Sequence, residues 1–380
     1  MDVARARALF PVTSQYAYCN NAAVSPIATP VRTAMLARLT ERHQQGAMEL
    51  AGWFEEMEGV RGTLAALVGA TPEDIALMPS TSAGLGAVAE GLPWRDGDRI
   101  VTFDCEFPAN IYPWLHLRRR GVRVELLPES CLGDLERLRS ACRGARLLSL
   151  SFVQYLSGFR ADLAAIGEVC REAGAWFVVD GIQGLGAFPL DVRAGNIHAL
   201  ANGGYKWLTG PLGAGFLYVA PALLEAIEPQ AAGWVSVAEF EDYGAAQRAA
   251  VSPASLNWRA GAARLEAGSC NLLGYVGLGA AIELLRSFDS AAISAHILQT
   301  SDLLRRGLCG TGCTILQKSD VLVDRSGITS FQHPRLGAAE LVERFRQRGV
   351  ICAERGGWVR CAHHLYNSSD DIERLLAALP

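Results

Sequence analysis

Residues 203–219 have the sequence GGYKWLTGPLGAGFLYV, in which a single lysine, Lys206, lies among glycines and apolar residues. The run GAGFLYV (213–219) is typical of a buried strand, because it is short, apolar and free of charge. A lysine is rarely buried unless it is paired or loses its charge. Lys206 therefore marks the place in the chain where a functional site is expected.

Short apolar segments alternate with helical patterns over the first part of the chain. Strands are predicted at 74–80, 98–107, 122–128, 145–153, 175–183, 197–204 and 213–219. Helices are predicted at 81–92, at 161–174 and at 28–68, the last with breaks near Gly46 and Gly52. This alternation favours the α/β class, with a largely parallel sheet covered by helices on both faces.

The pattern changes after about residue 255. Helices are predicted at 271–287, 291–308, 337–348 and 369–379, and strands at 313–317, 327–333 and 358–364. This order indicates a smaller α+β unit after the larger one. We therefore expect an N-terminal segment (1–20), a large domain (21–258) and a small C-terminal domain (259–380).

Composition and charge exclude several classes of function. Half of the 380 residues are hydrophobic, 19% are charged, and the formal net charge is −4. A chain of this length can bury two cores. The densest basic run, Arg118–Arg120, is expected at a helix end, and no basic stripe is present. Binding to nucleic acid or to an anionic membrane is therefore not expected.

The termini and cysteines favour a cytoplasmic protein. The sequence MDVARARALFPVTSQY (1–16) lacks the apolar core of a signal peptide, and no uncharged run reaches about 18 residues. Of the ten cysteines only Cys309 and Cys313 lie close together, without a second pair or a flanking histidine. We expect no metal site, and we expect free thiols in a reducing compartment.

Three polar residues follow two predicted strands. Asp180 closes the strand WFVVD (176–180), Gln183 comes three residues later, and Lys206 follows the next strand. In open α/β sheets, ligands bind at the carboxyl ends of the strands. A carboxylate behind apolar residues is costly to bury without a cationic partner. Each residue alone is more commonly structural, but together they indicate a ligand site.

Two further predicted elements, a helix and a strand, place groups that could bind a ligand at their ends. Thr81 and Ser82 open the helix at 81–92, with Ser80 or Thr81 as its cap, and a helix N-terminus favours an anion such as phosphate. Phe107 ends a strand and offers a ring face. Pyridoxal 5′-phosphate would use this whole set, because it has an aldehyde, a basic ring nitrogen, a phenolic oxygen and a phosphate. A desolvated setting would lower the pKa of Lys206 and let it form a Schiff base.

The sequence resembles the class V aminotransferase and cysteine desulfurase group of fold-type I pyridoxal-phosphate enzymes. The resemblance runs from YCNNAAVSPI (18–27) to VRCAHHLYNSSDDIERLL (359–376). Its most specific part is VVDGIQGLGAFPLDV (178–192) together with the lysine segment (203–219). The resemblance implies a large domain with a mostly parallel seven-stranded sheet between helices, and a smaller C-terminal α+β domain.

The resemblance also assigns roles to residues around the cofactor. It implies that Asp180 pairs with the ring nitrogen, that Gln183 donates to the phenolic oxygen, and that Lys206 forms the Schiff base and moves the proton. Thr81 and Ser82 match the phosphate-binding pair.

Other positions match the family's ring-stacking, substrate and dimer contacts. Phe107, in EFPANIYPW, takes the ring-stacking position. Arg360 matches the arginine that binds the substrate α-carboxylate, a task suited to a bidentate guanidinium. Asn21 matches the segment lining the substrate pocket. Ser269, in RLEAGSCN, matches the segment that reaches the cofactor phosphate of a partner subunit, which implies a homodimer.

The sequence departs from the family pattern in two places. The usual S-x-H-K is replaced by GGYK (203–206), so Tyr205 is expected to supply a hydroxyl at the cofactor and Asn202 to compensate for the missing serine. Where desulfurases carry an asparagine near the phenolic oxygen, this chain has Gln154 and Tyr155. Which of the two serves, if either, stays open.

One absence bears on the reaction. Cysteine desulfurases carry a nucleophilic cysteine on a loop just before the carboxylate arginine, and GVICAERGGWVR (349–360) is too short for that loop. Cys352 is the nearby candidate, and we expect it to be an inert thiol at a strand end. Cys361 should face away from Arg360, because neighbouring residues of a strand point to opposite faces.

The predicted function is a pyridoxal-phosphate enzyme that removes the Cα proton of a small L-amino acid through a Schiff base at Lys206. We favour a Cβ–S lyase or desulfurase-like reaction on a cysteine-type substrate, by analogy with desulfurase segments. A class V aminotransferase and an amino-acid epimerase stay as alternatives. A regulator or an inactive binding protein is disfavoured, because Lys206, Asp180 and Arg360 are all retained.

Overall fold

The structure is a computed structural model that describes residues 1–48, 50–241, 256–319 and 321–380. Residues 49 and 242–255 of the predicted large domain and residue 320 of the predicted small domain lie outside the described residues. The strands are β1 (Ala17–Tyr18), β2 (Ile75–Met78), β3 (Arg99–Phe103), β4 (Arg123–Leu127), β5 (Leu147–Ser151), β6 (Trp176–Asp180), β7 (Ala199–Gly203), β8 (Gly215–Val219), β9 (Thr314–Ile315), β10 (Ile328–Gln332), β11 (Val350–Ile351), β12 (Ala353–Arg355) and β13 (Trp358–Ala362).

The α-helices of the described residues surround these strands. They are α1 (Val3–Leu9), α2 (Thr29–Gln45), α3 (Leu50–Val68), α4 (Thr81–Gly91), α5 (Tyr112–His116), α6 (Leu135–Cys142), α7 (Leu163–Ala173), α8 (Pro221–Ala226), α9 (Leu272–Arg286), α10 (Ser290–Leu308), α11 (Ala338–Gln347) and α12 (Ser369–Ala377). None of the helices in the described part of the chain combines the length and apolar character needed to cross a lipid bilayer.

Seven strands form one sheet in the order β2-β8-β7-β6-β5-β3-β4. Only β8 runs against its neighbours β2 and β7, and the other neighbouring pairs of this sheet are parallel. The carboxyl ends of β2, β3, β5, β6 and β7 therefore lie at one edge of the sheet. The expected mostly parallel α/β sheet is confirmed.

Helices cover both faces of this sheet. Every residue of β5, β7 and β8 is buried, which explains their continuous apolar sequences. On one face α4 packs against β7 and β8, and on the other side of the core α9 packs against α2 and α3. The helices thus hold the loops at the carboxyl edge in fixed positions.

A four-stranded antiparallel sheet, in the order β12-β13-β10-β9, follows in the C-terminal part. Its core includes Phe331, Leu341, Phe345 and Leu375, which join the sheet to α11 and α12. The N-terminal segment also contacts this region, because β1 pairs in parallel with β11. The two boundaries inferred from sequence between the N-terminal segment, the large domain and the small domain stay a prediction.

Two local expectations differ from the structure. Gly46 ends α2 with a φ of 63°, but Gly52 lies inside α3 instead of breaking it. A glycine inside a helix costs only about 1 kcal/mol, which packing can offset. The helix α6 was not expected at all.

One local expectation agrees with the structure: the basic run Arg118–Arg120 ends a short helix, and Glu90 pairs with Arg119 and Arg120.

Candidate active site

Lys206 lies in the loop between β7 and β8, and its side chain is buried, with 7% exposed. Its Nζ is 5.6 Å from the centre of the Phe107 ring and 5.7 Å from that of Tyr205. Gly204 is required beside it, because a Cβ there would lie 2.9 Å from the Ala214 carbonyl oxygen. The glycines of the lysine segment thus let the loop pack tightly and aim the amine inwards.

The surroundings favour the uncharged form of this amine. Burial lowers the pKa of Lys206 to about 8; Asp180 opposes this shift, while the charges of Arg360 and Arg355 add to it. The uncharged fraction of the amine near neutral pH is therefore far larger than in an ordinary lysine, although the charged form still predominates. The chain has one other lysine, Lys318, and it is exposed.

Asp180 ends β6 and is 2% exposed. Its Oδ1 accepts a hydrogen bond of 2.9 Å from the backbone N–H of Ile182. Burial raises the pKa of Asp180 to about 6, against the effect of the Ile182 N–H and of Lys206. A cationic ring nitrogen beside this carboxylate would offset the cost of its burial.

Gln183 links the site to the N-terminal segment. Its Nε2 donates to the Ala22 carbonyl at 3.0 Å, and its Oε1 accepts from Trp207 Nε1 at 2.9 Å. One amide N–H of Gln183 remains for a ligand oxygen.

Asn21 is fully buried; its Nδ2 donates to the Ala362 carbonyl and its Oδ1 accepts from the Tyr366 hydroxyl. The direct substrate contact expected of Asn21 stays a prediction.

The start of α4 carries the residues of the predicted anion site. Ser80 is the N-cap, accepting from the Ala83 N–H at 3.2 Å, while Thr81 is buried and Ser82 is exposed. Thr81 Oγ1 is buried and has no hydrogen-bond partner among the described residues. A Cβ on Gly203 would lie 3.4 Å from this oxygen, so the glycine keeps the space beside it open.

Other buried polar atoms nearby also lack partners among the described residues. They include the Oδ1 of Asn202 and the Oε1 of Gln154. The Tyr205 phenol keeps its proton, because burial and Asp180 raise its pKa. Buried unpaired groups at a helix N-terminus, beside a carboxylate and a buried amine with a lowered pKa, fit the phosphate, ring and aldehyde of pyridoxal phosphate.

Arg360 reaches the site from the other sheet. It lies on β13, is 2% exposed, and donates from Nη1 to the Tyr155 carbonyl at 2.7 Å. Its Nε has no partner among the described residues. Burial lowers the pKa of Arg360 to about 10, and the charge of Arg355 adds to this shift. A buried guanidinium of this kind is suited to a carboxylate ligand.

The thiols near Arg360 face away from it. Cys352 and Cys361 pack with Cys19 in the core between the small sheet and its helices. The contact with Cys352, together with burial, keeps the pKa of Cys361 well above its usual value. The expectation that Cys361 points away from Arg360 is confirmed, and Cys352 lies on the same remote side.

Two expected residues lie nearer the surface. Phe107 is 45% exposed, and its ring packs edge-on against Tyr155 at 5.3 Å between centres. A cavity of about 620 Å³, lined mainly by apolar residues that include Phe107 and Tyr112, opens beside Ser82. Ser269 is exposed, and its contact with a partner subunit stays a prediction.

The sequence reasoning overlooked Glu106, a buried carboxylate next to Phe107. Its pattern is that of Asp180, a carboxylate shortly after an apolar strand, so the same signal could have found it. Its side chain accepts hydrogen bonds from Asn110, Ser151 and Gln154.

Comparison with known proteins places the chain in a family. The model of the aminotransferase class-V family matches residues 17–375. A probable cysteine desulfurase of Methanothermobacter thermautotrophicus is 27% identical over 96% of this chain and 94% of its own. The apo structure of a cysteine desulfurase from Thermococcus onnurineus has a TM-score of 0.89 at 25% identity, covering 98% of this chain and 96% of its own.

A solved complex of the cystine C–S lyase C-DES with its product cysteine persulfide also matches, with a TM-score of 0.87. It is 26% identical and covers 97% of this chain and 98% of its own. These likenesses extend over nearly the whole chain and include both sheets. The chain therefore belongs to the aminotransferase class-V family and is, as its sequence predicted, a pyridoxal-phosphate-dependent enzyme.

Proposed function

We propose that this enzyme is a carbon–sulfur lyase that cleaves the Cβ–S bond of a cysteine-type amino acid without carrying the sulfur on a cysteine of its own. With cysteine and water, the products would be pyruvate, ammonia and hydrogen sulfide. The observation that carries the proposal is the tight hairpin of β12 and β13, which turns at Gly356 and Gly357. It leaves no room for a loop cysteine before Arg360.

The positions of the thiols in this region also support a lyase that does not carry the sulfur on its own cysteine. Cys352 and Cys361 are buried on the side of the small sheet opposite to Arg360. The likeness to both cysteine desulfurases and a cystine C–S lyase fits cleavage of a C–S bond. Release of sulfur to solution, rather than to an enzyme thiol, is supported by the position of both of these thiols away from Arg360.

Each residue of the site has a task in this reaction. When bound, pyridoxal phosphate supplies an aldehyde for an amine and a ring that accepts the electron pair released at Cα. Thr81, Ser82 and the α4 N-terminus would hold the phosphate, and Asp180 would hold a proton on the ring nitrogen. Phe107 would cover one face of the ring.

Proton movement falls to Lys206 and orientation to Arg360. With a pKa of about 8, the Lys206 amine can accept the Cα proton near neutral pH and return it later. Arg360 would hold the α-carboxylate through its free N–H groups and so fix which Cα bond faces the amine. Gln183 would orient the ring through its remaining N–H.

A second positive charge favours an anionic leaving group. Arg355 lies on the same face of the small sheet as Arg360, because Ala353 pairs with Arg360 and alternate residues share a face. Its charge acts on both Lys206 and Arg360. A departing thiolate or persulfide would be stabilised there, which supports a lyase over an aminotransferase or an epimerase.

The test is an assay with cysteine and cystine in the absence of any keto acid. We expect sulfide or persulfide and pyruvate in equal amounts over many turnovers. A C352S/C361S double variant should turn over at a similar rate, because neither thiol faces the site. Turnover only with an added keto acid would establish an aminotransferase, and racemised substrate without pyruvate would establish an epimerase.

We also propose a homodimer in a reducing, cytoplasmic setting. The exposed Phe107 and Tyr112 leave the cavity beside the site open in a single chain, and a partner would cover it. Ser269 would then reach the partner's cofactor phosphate. Ser269→Ala should weaken cofactor binding without changing the dimer mass measured by sedimentation; a monomeric wild type would refute the proposal.

A further inference from the structure

A second buried carboxylate lies beside the candidate site, and the mechanism above does not use it. Glu106 is 4% exposed. Its Oε1 accepts from the Ser151 N–H and from Gln154 Nε2, both at 2.7 Å. Its Oε2 accepts from Asn110 Nδ2 at 3.0 Å and contacts the Ser151 hydroxyl. One side chain thus joins the loop after β3 to the end of β5.

The network requires an acceptor at this position. The Oδ1 of Asn110 already accepts from Ser149 Oγ at 2.6 Å and from Trp114 Nε1 at 3.2 Å. The amide of Asn110 is therefore fixed, with its N–H directed at Glu106. A glutamine at position 106 would place an amide N–H against the Asn110 N–H or give up another contact.

The same carboxylate is connected to the groups of the site. Glu106 immediately precedes Phe107, whose ring lies 5.6 Å from Lys206 Nζ. Ser151, which donates to Glu106, is the Cα partner of Asp180 across β5 and β6. A shift of the Glu106 side chain would therefore displace two neighbours of the site. These are the Phe107 ring, which lies near Lys206, and the end of β5, which lies beside Asp180.

The charge of Asp180 also acts on Glu106. Burial raises the pKa of Glu106 to about 7; hydrogen bonds from Ser151 and Asn110 oppose this shift, and the charge of Asp180 adds to it. The neighbouring Cys105 thiol also interacts with Glu106, since burial and then the charge of Glu106 raise the pKa of that thiol. A cation bound near both buried carboxylates would offset part of the cost of their burial.

We propose that Glu106 is a positioning residue of the cofactor site, which fixes Phe107 and Gln154 around the cofactor ring and whose negative charge stabilises the positive charge of the bound cofactor next to Asp180. This proposal rests on the placement of pyridoxal phosphate between Phe107, Asp180 and Lys206. A wild-type protein that binds no cofactor at Lys206 would refute that placement. The role of Glu106 is tested separately, by comparing variants that do bind it.

The experiment measures the absorbance of the bound cofactor against pH in Glu106→Gln and Glu106→Asp. Glu106→Gln keeps the side-chain length, gives up one hydrogen bond of the network and removes the charge, so the apparent pKa of the cofactor should fall by about 0.5 unit or more. Glu106→Asp keeps the charge, so its apparent pKa should stay within about 0.2 unit. Its kcat should still fall, because the shorter side chain withdraws from Ser151 and loosens Phe107.

A matched control separates this role from plain stability. Asp371 is another buried carboxylate, which accepts from Arg7, Asn367 and Ser368, but it belongs to the small unit. Asp371→Asn should lower the melting temperature and leave the apparent pKa unchanged. A Glu106→Gln protein with the wild-type apparent pKa and a similar loss of melting temperature would reduce Glu106 to a structural residue.

A second variant decides the matter if Glu106→Gln does not fold. Ser151→Ala removes one donor from Glu106 and makes the carboxylate easier to protonate. The apparent pKa of the bound cofactor should then fall in the same direction, by a smaller amount than in Glu106→Gln. An unchanged or raised value would overturn the proposal.

Discussion

The seven-stranded sheet and the four-stranded sheet both direct buried charges at Lys206, but in different ways. The large sheet presents Asp180 where a parallel strand ends. The small sheet presents Arg360 from within an antiparallel strand, whose opposite face carries Cys361. Asp180 points to the site because its strand ends there. Arg360 points to the site because neighbouring residues of its strand alternate between the two faces of the small sheet.

Charged residues of the two sheets also shift the pKa of Lys206 in opposite directions. Asp180 raises the pKa of the amine, whereas burial and the charges of Arg360 and Arg355 lower it. The amine is therefore balanced between an acid on one side and guanidinium groups on the other. Removing a charge from either sheet should therefore raise or lower the pKa of Lys206 in a direction that can be predicted.

Removing the amine itself should have the largest effect. We expect Lys206→Ala to lose turnover by about 10⁴-fold or more, because both the covalent attachment and the proton acceptor disappear. The variant should still bind the cofactor without a covalent link. Borohydride reduction and peptide mapping provide the check, and Lys318→Ala, at the other lysine, serves as the control. An adduct at Lys318 would contradict the placement.

Changing the small sheet's contribution should have the next largest effect. We expect Arg360→Lys to lower kcat/KM by about 100-fold or more, mainly through KM, because an ammonium keeps the charge but not the bidentate fork. The exposed Arg348 offers a matched control, and Arg348→Lys should leave kcat/KM as it is. An Arg360→Lys enzyme with an unchanged KM would mean that another group holds the carboxylate.

A pH experiment compares the two sheets directly. The rate of covalent attachment of pyridoxal phosphate to the apoprotein should rise with pH around a midpoint near 8, since only the uncharged amine reacts. Arg360→Gln removes a nearby positive charge and should raise the midpoint by about half a unit. Asp180→Asn removes a negative charge and should lower it. Shifts in the same direction would show that the two sheets do not oppose each other.

The remote face of the small sheet should matter least for catalysis. We expect Cys352→Ser and Cys361→Ser to keep turnover within about twofold and to lower the melting temperature by a few degrees, because a hydroxyl is buried in an apolar core. Cys361 is the more deeply buried and should cost more. Lost activity at an unchanged melting temperature in Cys352→Ser would instead indicate a sulfur-carrying thiol.

Much of the large sheet was predictable, since its strands are continuous apolar runs ended by polar residues. The predictions at 175–183 and 197–204 became β6 and β7, shorter by a few residues at their ends. Gly52 failed as a breaker, because packing offset its weak helix propensity. The signal that identified Asp180 could also have identified Glu106, but the link of Glu106 to Ser151 and Gln154, more than forty residues further along the chain, is not visible in any local pattern.

The sequence by itself determined the fold class and the family and singled out Lys206 as the candidate reactive lysine, because these depend on apolar periodicity and on residue types at fixed spacings. Only the tertiary structure decided how strongly Lys206 is desolvated, which groups oppose its charge, and which side of the small sheet holds the thiols. Desolvation and Coulomb interactions depend on distances between segments that are far apart in the chain, and no local pattern encodes those distances.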